Sequence, residues 1–183
     1  MGAHVDVRPE RESDRLGVRA VHLAAFGADG AKVADLVDDL RQAVARGEGV
    51  SLVAEAEGEV VGHVMFTPSI LDAPQRLVPV QVLGPVGVLP ARQRQGVGSA
   101  LIRRGLELMA ERVVPVVFLE GSPRYYPRFG FRPGAELGFR KPSLRIPDAA
   151  FQALPLPSYE PWMTGTLVYS ETFWRHDAVG LRD

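Results

Sequence analysis

The chain has 183 residues, 46% of them hydrophobic and 23% charged, which is the size and balance of one ordinary globular domain with a buried core. Its 21 Lys and Arg stand against 22 Asp and Glu, a formal net charge of -1, so no global positive field points to nucleic acid or an anionic membrane as partner. Cysteine is absent; this excludes disulfides, thiolate zinc sites, iron–sulfur clusters and any covalent thioester carried on the enzyme.

The opening stretch MGAHVDVRPERESD is charged and has no apolar segment of the kind a secretory signal needs, and Asp6 stands where a myristoylation motif takes Ser or Thr. No run of about 18 apolar residues occurs, so the expectation is a soluble, cytoplasmic protein. There is no fixed-period repeat. Residues 1–183 read as a single domain, with a core over about 4–135 and C-terminal strands in a proline-rich stretch over about 136–183.

In chain order, a short strand is expected at His4 to Arg8. Ser13 can then cap a helix whose apolar stripe is Leu16, Ala20, Leu23 and Ala24, with Gly27 at its end. Val33, Leu36, Val37, Leu40 and Val44 define a second amphipathic helix stopped by Gly47. From Val50 the period changes to two, and VSLVAEA and VVGHVMF joined through Glu57-Gly58-Glu59 read as a hairpin. A third strand spans about Leu77 to Val88, interrupted at Gly84-Pro85, where a proline cannot donate to a ladder. Gly96 to about Arg112 is a helix with Ile102, Gly105, Leu106, Met109 and Val113 on one stripe. VVFLE at 116–120 is a strand, Ser122-Pro123 opens a brief helical turn ended by Gly130, and FQAL and TLVYS are strands in the tail.

The segment that carries chemistry is VLGPVGVLPARQRQGVGSALIRRGLELM, residues 82–109. A strand leads through a polar, glycine-containing loop into a strongly periodic helix, so backbone N–H groups converge at a helix start, where the dipole favours an anion. The plain alternative is a helix start whose glycines serve only the turn. Gly98 is followed directly by Ser99, without the Lys of a nucleotide-triphosphate loop, and Leu101 replaces the third glycine of a dinucleotide fingerprint.

Gln93-Arg94-Gln95-Gly96-Val97-Gly98 resembles the Q/R-x-x-G-x-G/A signature of the GCN5-related N-acetyltransferases. Tyr126-Pro127-Arg128-Phe129-Gly130-Phe131, 28 residues beyond Gly98, resembles that family's Y-x-x-x-G-F segment, within a GxPxYYxRFGF stretch from Gly121 to Phe131. The order of elements is similar as well. The resemblance implies an α/β fold of α+β type: a mixed, mostly antiparallel central sheet flanked by helices, with strands splayed at a cofactor cleft. It also implies acetyl-CoA as co-substrate, without a metal. Amides of Gln93, Arg94, Gln95, Gly96, Val97, Gly98 and Ser99 would cradle the pyrophosphate, and backbone at Val86, Gly87 and Val88 would aim the thioester. The implied reaction is direct transfer to a primary amine of a small molecule or peptide in a ternary complex.

Tyr126 is the expected general acid for the departing thiolate, with Tyr125 its rival; without the resemblance both read as aromatic packing residues with wet hydroxyls. Glu120, at a strand end, and His63, on the strand after the hairpin, are the candidates for a base; a strand-end charge and a satisfied strand histidine are their plain readings. His4, His22 and His176 lack ligand spacing for a metal. The rival functions are a non-catalytic acyl-CoA-binding regulatory module and a nucleic-acid-binding protein, the latter without a recognition motif. A membrane partner is not expected, and a homodimer is compatible with the sequence without being argued by any residue. The near-zero net charge hides a basic middle: residues 92–145 carry 11 basic against 4 acidic side chains, a local field suited to a compact polyanion.

Overall fold

The structure is a computed structural model and describes residues 4–182. The described chain falls into two compact units, residues 4–67 with 84–108 and residues 68–83 with 109–182. Strands β3 (Glu59–Asp72) and β4 (Leu77–Val88) and helix α3 (Val97–Glu111) each run from one unit into the other. No helix among the described residues is long and apolar enough to cross a membrane.

In the first unit, β1 (Asp6–Pro9) lies antiparallel to β2 (Val50–Ala56), and β2 pairs antiparallel with β3 from Ala56 opposite Glu59 to Val50 opposite Phe66. The two-residue turn is Glu57-Gly58 with φ of 55° and 81°, the left-handed pair whose twist matches that of the strands it joins. Helix α1 (Arg15–Phe26) ends at Gly27, and α2 (Gly30–Ala45) buries Ala34, Leu36, Val37 and Leu40. Helix α3 packs close because two glycines permit it: a Cβ at Gly105 would sit 2.0 Å from the Phe66 ring, and one at Gly62 would sit 2.9 Å from Val97.

Three local expectations are corrected here. The stripe Leu16, Ala20, Leu23, Ala24 faces outward, with Leu16 84% exposed, and α1 instead buries Val18, Val21 and His22. The leucines made the wrong stripe look the more apolar. Gly17, whose absent Cβ would lie 3.1 Å from Val60, and the hydrogen-bonded His22 mark the face turned to the strands. Ser13 does not cap the helix; a 3-10 turn over Glu12–Asp14 precedes it, and the Asp14 carboxylate accepts the Arg11 N–H at 2.6 Å and the Arg8 guanidinium at 2.7 and 2.9 Å. Val113 lies beyond α3 in a left-handed turn, 68% exposed, because the helix stops at Glu111.

In the second unit β4 pairs parallel with β5 (Val116–Glu120) at Gln81–Val117 and Val82–Phe118, and β5 pairs antiparallel with β8 (Phe151–Pro155), which in turn takes β6 (Arg132–Pro133). The end of β3 pairs with β9 (Gly165–Val168), and β9 runs parallel to β7 (Phe139–Arg140). The tail strands stand where the sequence expects them, and a short helix α4 (Glu171–Arg175) follows. The core is aromatic: Phe118 meets Phe139 edge-on at 4.8 Å and stacks on Phe151 at 5.9 Å. Strand β4 continues through Gly84-Pro85, whose peptide bond is cis.

Candidate active site

The loop between β4 and α3 is built by short-range bonds. Leu89 N–H donates to the Val61 carbonyl at 2.9 Å, and a 3-10 turn over Pro90–Arg92 follows. Arg94 and Gly96 both adopt left-handed backbone, with φ of 59° and 86°; for Arg94 that is a conformation L-residues seldom take. Two such residues curl the chain into the helix start. The Gln93 and Gln95 side chains brace the curl, donating to the Val88 carbonyl at 3.1 Å and the Ala91 carbonyl at 3.0 Å.

The first bond of the α3 ladder runs from Ala100 N–H to the Gly96 carbonyl at 3.0 Å. The amides of Val97, Gly98 and Ser99 therefore precede the ladder, at the positive end of a 15-residue helix. Arg94, Gln95 and Gly96 are exposed, so the anion these donors suit can arrive from solvent. On β4, Gly87 is buried while Val86 and Val88 are half-buried.

The second unit places Tyr126 at the start of a 3-10 turn, Tyr126–Phe129, ended by Gly130 at φ 98°. Its half-buried ring sits among Tyr125, Phe129 and Phe131 at 5.0 to 6.4 Å. Gly121 makes room for it, since a Cβ there would lie 2.4 Å from the ring. Burial, with a smaller contribution from Tyr125, pushes the Tyr126 hydroxyl up to about 12. It keeps its proton at neutral pH. Tyr125 is occupied differently: the Arg128 guanidinium lies 4.4 Å over its ring and donates to its carbonyl at 2.9 Å.

The two candidate bases have different surroundings. The Glu120 carboxylate accepts the Gly180 N–H at 3.0 Å and bonds the Tyr169 hydroxyl; burial raises its pKa. His63 is fully buried and both ring nitrogens are engaged, Nδ1 with His22 Nε2 at 2.7 Å and Nε2 with Ser51 Oγ at 2.8 Å. Ser51 donates to Glu10, which also holds Arg41 at 2.7 and 2.9 Å. The sequence points to neither Glu10, Ser51 nor His22, because they come from separate elements and no spacing joins them.

Residues 6–134 match the model of the acetyltransferase (GNAT) domain, and the chain belongs to that acetyltransferase family. It is 38% identical over 124 residues, 68% of this chain and 67% of the relative, to the uncharacterized N-acetyltransferase YjhQ of Escherichia coli. Among solved structures it is similar to the GNAT family N-acetyltransferase YhbS of Escherichia coli in complex with CoA: TM-score 0.82, 29% identity, covering 96% of this chain and 94% of that one. It is also similar to a GNAT acetyltransferase of Brucella melitensis in complex with acetyl-CoA: TM-score 0.73, 34% identity, covering 93% and 99%. The mixed, mostly antiparallel sheet with flanking helices is thus the fold of the family.

Proposed function

We propose that residues 1–183 form one acetyl-CoA-dependent N-acetyltransferase domain, acting in the cytoplasm on a primary amine of a small molecule or peptide by direct attack in a ternary complex. The observation that carries this reading is the loop: left-handed Arg94 and Gly96, braced by Gln93 and Gln95, lead an exposed turn into the N-terminus of α3, where the Val97, Gly98 and Ser99 amides precede the helix ladder. Helix starts of this kind bind phosphate oxygens. The CoA and acetyl-CoA held by the two structural neighbours support the choice of anion.

When bound, acetyl-CoA supplies an acyl group activated as a thioester. Amides from Arg94 to Ser99 bind its pyrophosphate, and the neighbouring Arg92 and Arg94 add positive charge. Backbone at Val86, Gly87 and Val88 orients the thioester, and an amide there polarises its carbonyl as charge develops. Tyr126 holds a proton for the departing sulfur, and its raised pKa means only that the hydroxyl is protonated at neutral pH.

The test is thiol release from acetyl-CoA with a panel of polyamines, aminoglycosides and peptide amines. Turnover of one amine supports the reading. Acetyl-CoA binding without turnover of any amine supports the non-catalytic binding module instead. With an accepted amine, Tyr126→Phe lowers kcat by about 10²–10⁴-fold; a wild-type rate in that variant removes Tyr126 from the mechanism.

A further inference from the structure

In the second unit, the chain beyond α4 has neither helix nor strand, yet three successive residues of it are tied down. Ala178 N–H donates to the Phe173 carbonyl at 2.8 Å, and Asp177, with φ of 50°, turns the backbone out of the helix. Val179 is then buried, 1% exposed. The Arg145 guanidinium donates to the Val179 carbonyl at 3.0 Å, and the Arg145 carbonyl accepts the Leu181 N–H at 3.2 Å. Between those bonds the Gly180 N–H donates to the Glu120 carboxylate, at the end of β5, at 3.0 Å. Glycine is needed there twice over: φ is 66°, and a Cβ would lie 2.7 Å from the Arg145 backbone. Arg182 reaches back to Asp177 at 2.6 Å and closes the segment into a loop.

Glu120 is the pin of this strap. Its carboxylate also bonds the hydroxyl of Tyr169, a residue 5% exposed that follows β9 and packs its ring on Phe173 of α4 at 5.2 Å. The strap, the end of β9 and the end of β5 are thus joined at one side chain. Burial raises the pKa of Glu120, against the opposing pull of the Gly180 N–H, the Tyr169 hydroxyl and the charge of Arg145.

The backbone just past that pin is the seat of Tyr126. A Cβ at Gly121 would lie 2.4 Å from the Tyr126 ring, and the Gly121 N–H donates to the Ala150 carbonyl at 2.9 Å. The buried Gln152 side chain donates to the carbonyls of Gly121 and Ser122 at 3.2 and 3.3 Å, and the Ser122 carbonyl accepts the N–H of Tyr125 and Tyr126 at 3.2 and 3.4 Å. Gln152 fixes this seat from one side, and the strap fixes the residue ahead of it. A ring seated against backbone with no spare room follows any movement of that backbone. We propose that Glu120 is a positioning residue, and that the strap 178–182 acts through it to hold the Tyr126 hydroxyl where it protonates the departing sulfur. This rests on the assignment of Tyr126 as the acid. It gives Glu120 work that needs an oxygen acceptor and no proton transfer.

The first test needs no turnover. In the full chain labelled with carbon-13 at tyrosine, Glu120→Ala and Gly180→Ala should each move the ring resonances of Tyr126, identified by their loss in Tyr126→Phe, at an unchanged dissociation constant for acetyl-CoA. Resonances that stay in place in both variants overturn the proposal. With an accepted amine, Glu120→Ala should lower kcat by up to about 10²-fold, the cost of a misplaced reacting group, at an unchanged KM for acetyl-CoA. Glu120→Gln keeps an oxygen acceptor and should recover most of that loss; a rate as low as that of Glu120→Ala overturns the proposal in favour of a carboxylate that itself transfers a proton. Gly180→Ala leaves Glu120 in place and carries the kinetic test if Glu120→Ala does not fold. On a Tyr126→Phe background Glu120→Ala should cost little more, because both act through one phenol; losses that multiply in full overturn the link. A wild-type rate in Tyr126→Phe overturns the acid reading and the positioning role with it, whereas a slow Tyr126→Phe beside unmoved resonances overturns the role of the strap alone.

Discussion

The two units solve the problem of an interior in opposite ways. The second fills its core with rings, Phe118 against Phe139 and Phe151, with Phe131 beside Tyr126. The first threads an ordered set of titratable groups, Glu10, Arg41, Ser51, His63 and His22, between helices and strands. An aromatic core is insensitive to proton concentration; a core of buried carboxylate and imidazole is stable only in one protonation state.

Removing a ring should show the largest effect on stability. Phe118→Ala deletes a fully buried side chain at the centre of the second unit and should cost about 3–5 kcal/mol, read as a shift in the chemical denaturation midpoint. Arg41→Ala breaks the polar interior instead, leaving the Glu10 carboxylate, with a side chain only 6% exposed, short of its cation; a loss of about 3 kcal/mol is expected. Glu10→Gln on the same background should recover part of that loss, because it removes the stranded charge. Failure of that recovery would mean that Arg41 acts through packing alone.

Acid separates the units further. His22 sits at about 3 in the fold against an ordinary 6.5, so below about pH 6.5 the unfolded chain binds a proton that the folded chain does not, and stability falls until about pH 3. Glu10, at about 2 against 4.5, adds a second loss as pH falls from about 4.5 to 2. Tyr126, raised to about 12, acts at the other limit: its contribution is present below pH 10 and lost as pH climbs toward 12. Melting temperature followed against pH should therefore drop on the acid side, and His22→Gln should flatten the part between about pH 6.5 and 4.5. An unchanged profile in that variant would place the acid sensitivity elsewhere. The smallest effect belongs to the surface. Arg19→Ala removes exposed pairs with Asp35 and Asp38 and should change stability by less than about 1 kcal/mol, a control for the Arg41 result.

Much of the candidate site's loop ahead of α3 was legible in the sequence, since it is local. The Gln93–Ser99 loop is one continuous segment, and glycine spacing plus the following helix period imply convergent amides. The hairpin turn at Glu57-Gly58 and the strands of the tail were equally readable, because turn chemistry and period-two alternation act over a few residues. Helix α1 was not. Its sequence carries apolar residues on two sides, and periodicity alone favoured the side with more leucine.

By itself, then, the sequence determined the family, the glycine-containing loop ahead of α3, the tyrosine segment from Gly121 to Phe131 and the basic stretch around them, all features written in contiguous residues. Tertiary structure alone decided which face of α1 is buried and, with it, that His22 meets His63, that His63 meets Ser51, and that Ser51 meets Glu10. Those four residues are separated by 12 to 41 positions along the chain at each link. Hydrogen bonds over such separations exist only after strands and helices have packed, and a string of residues records no trace of them.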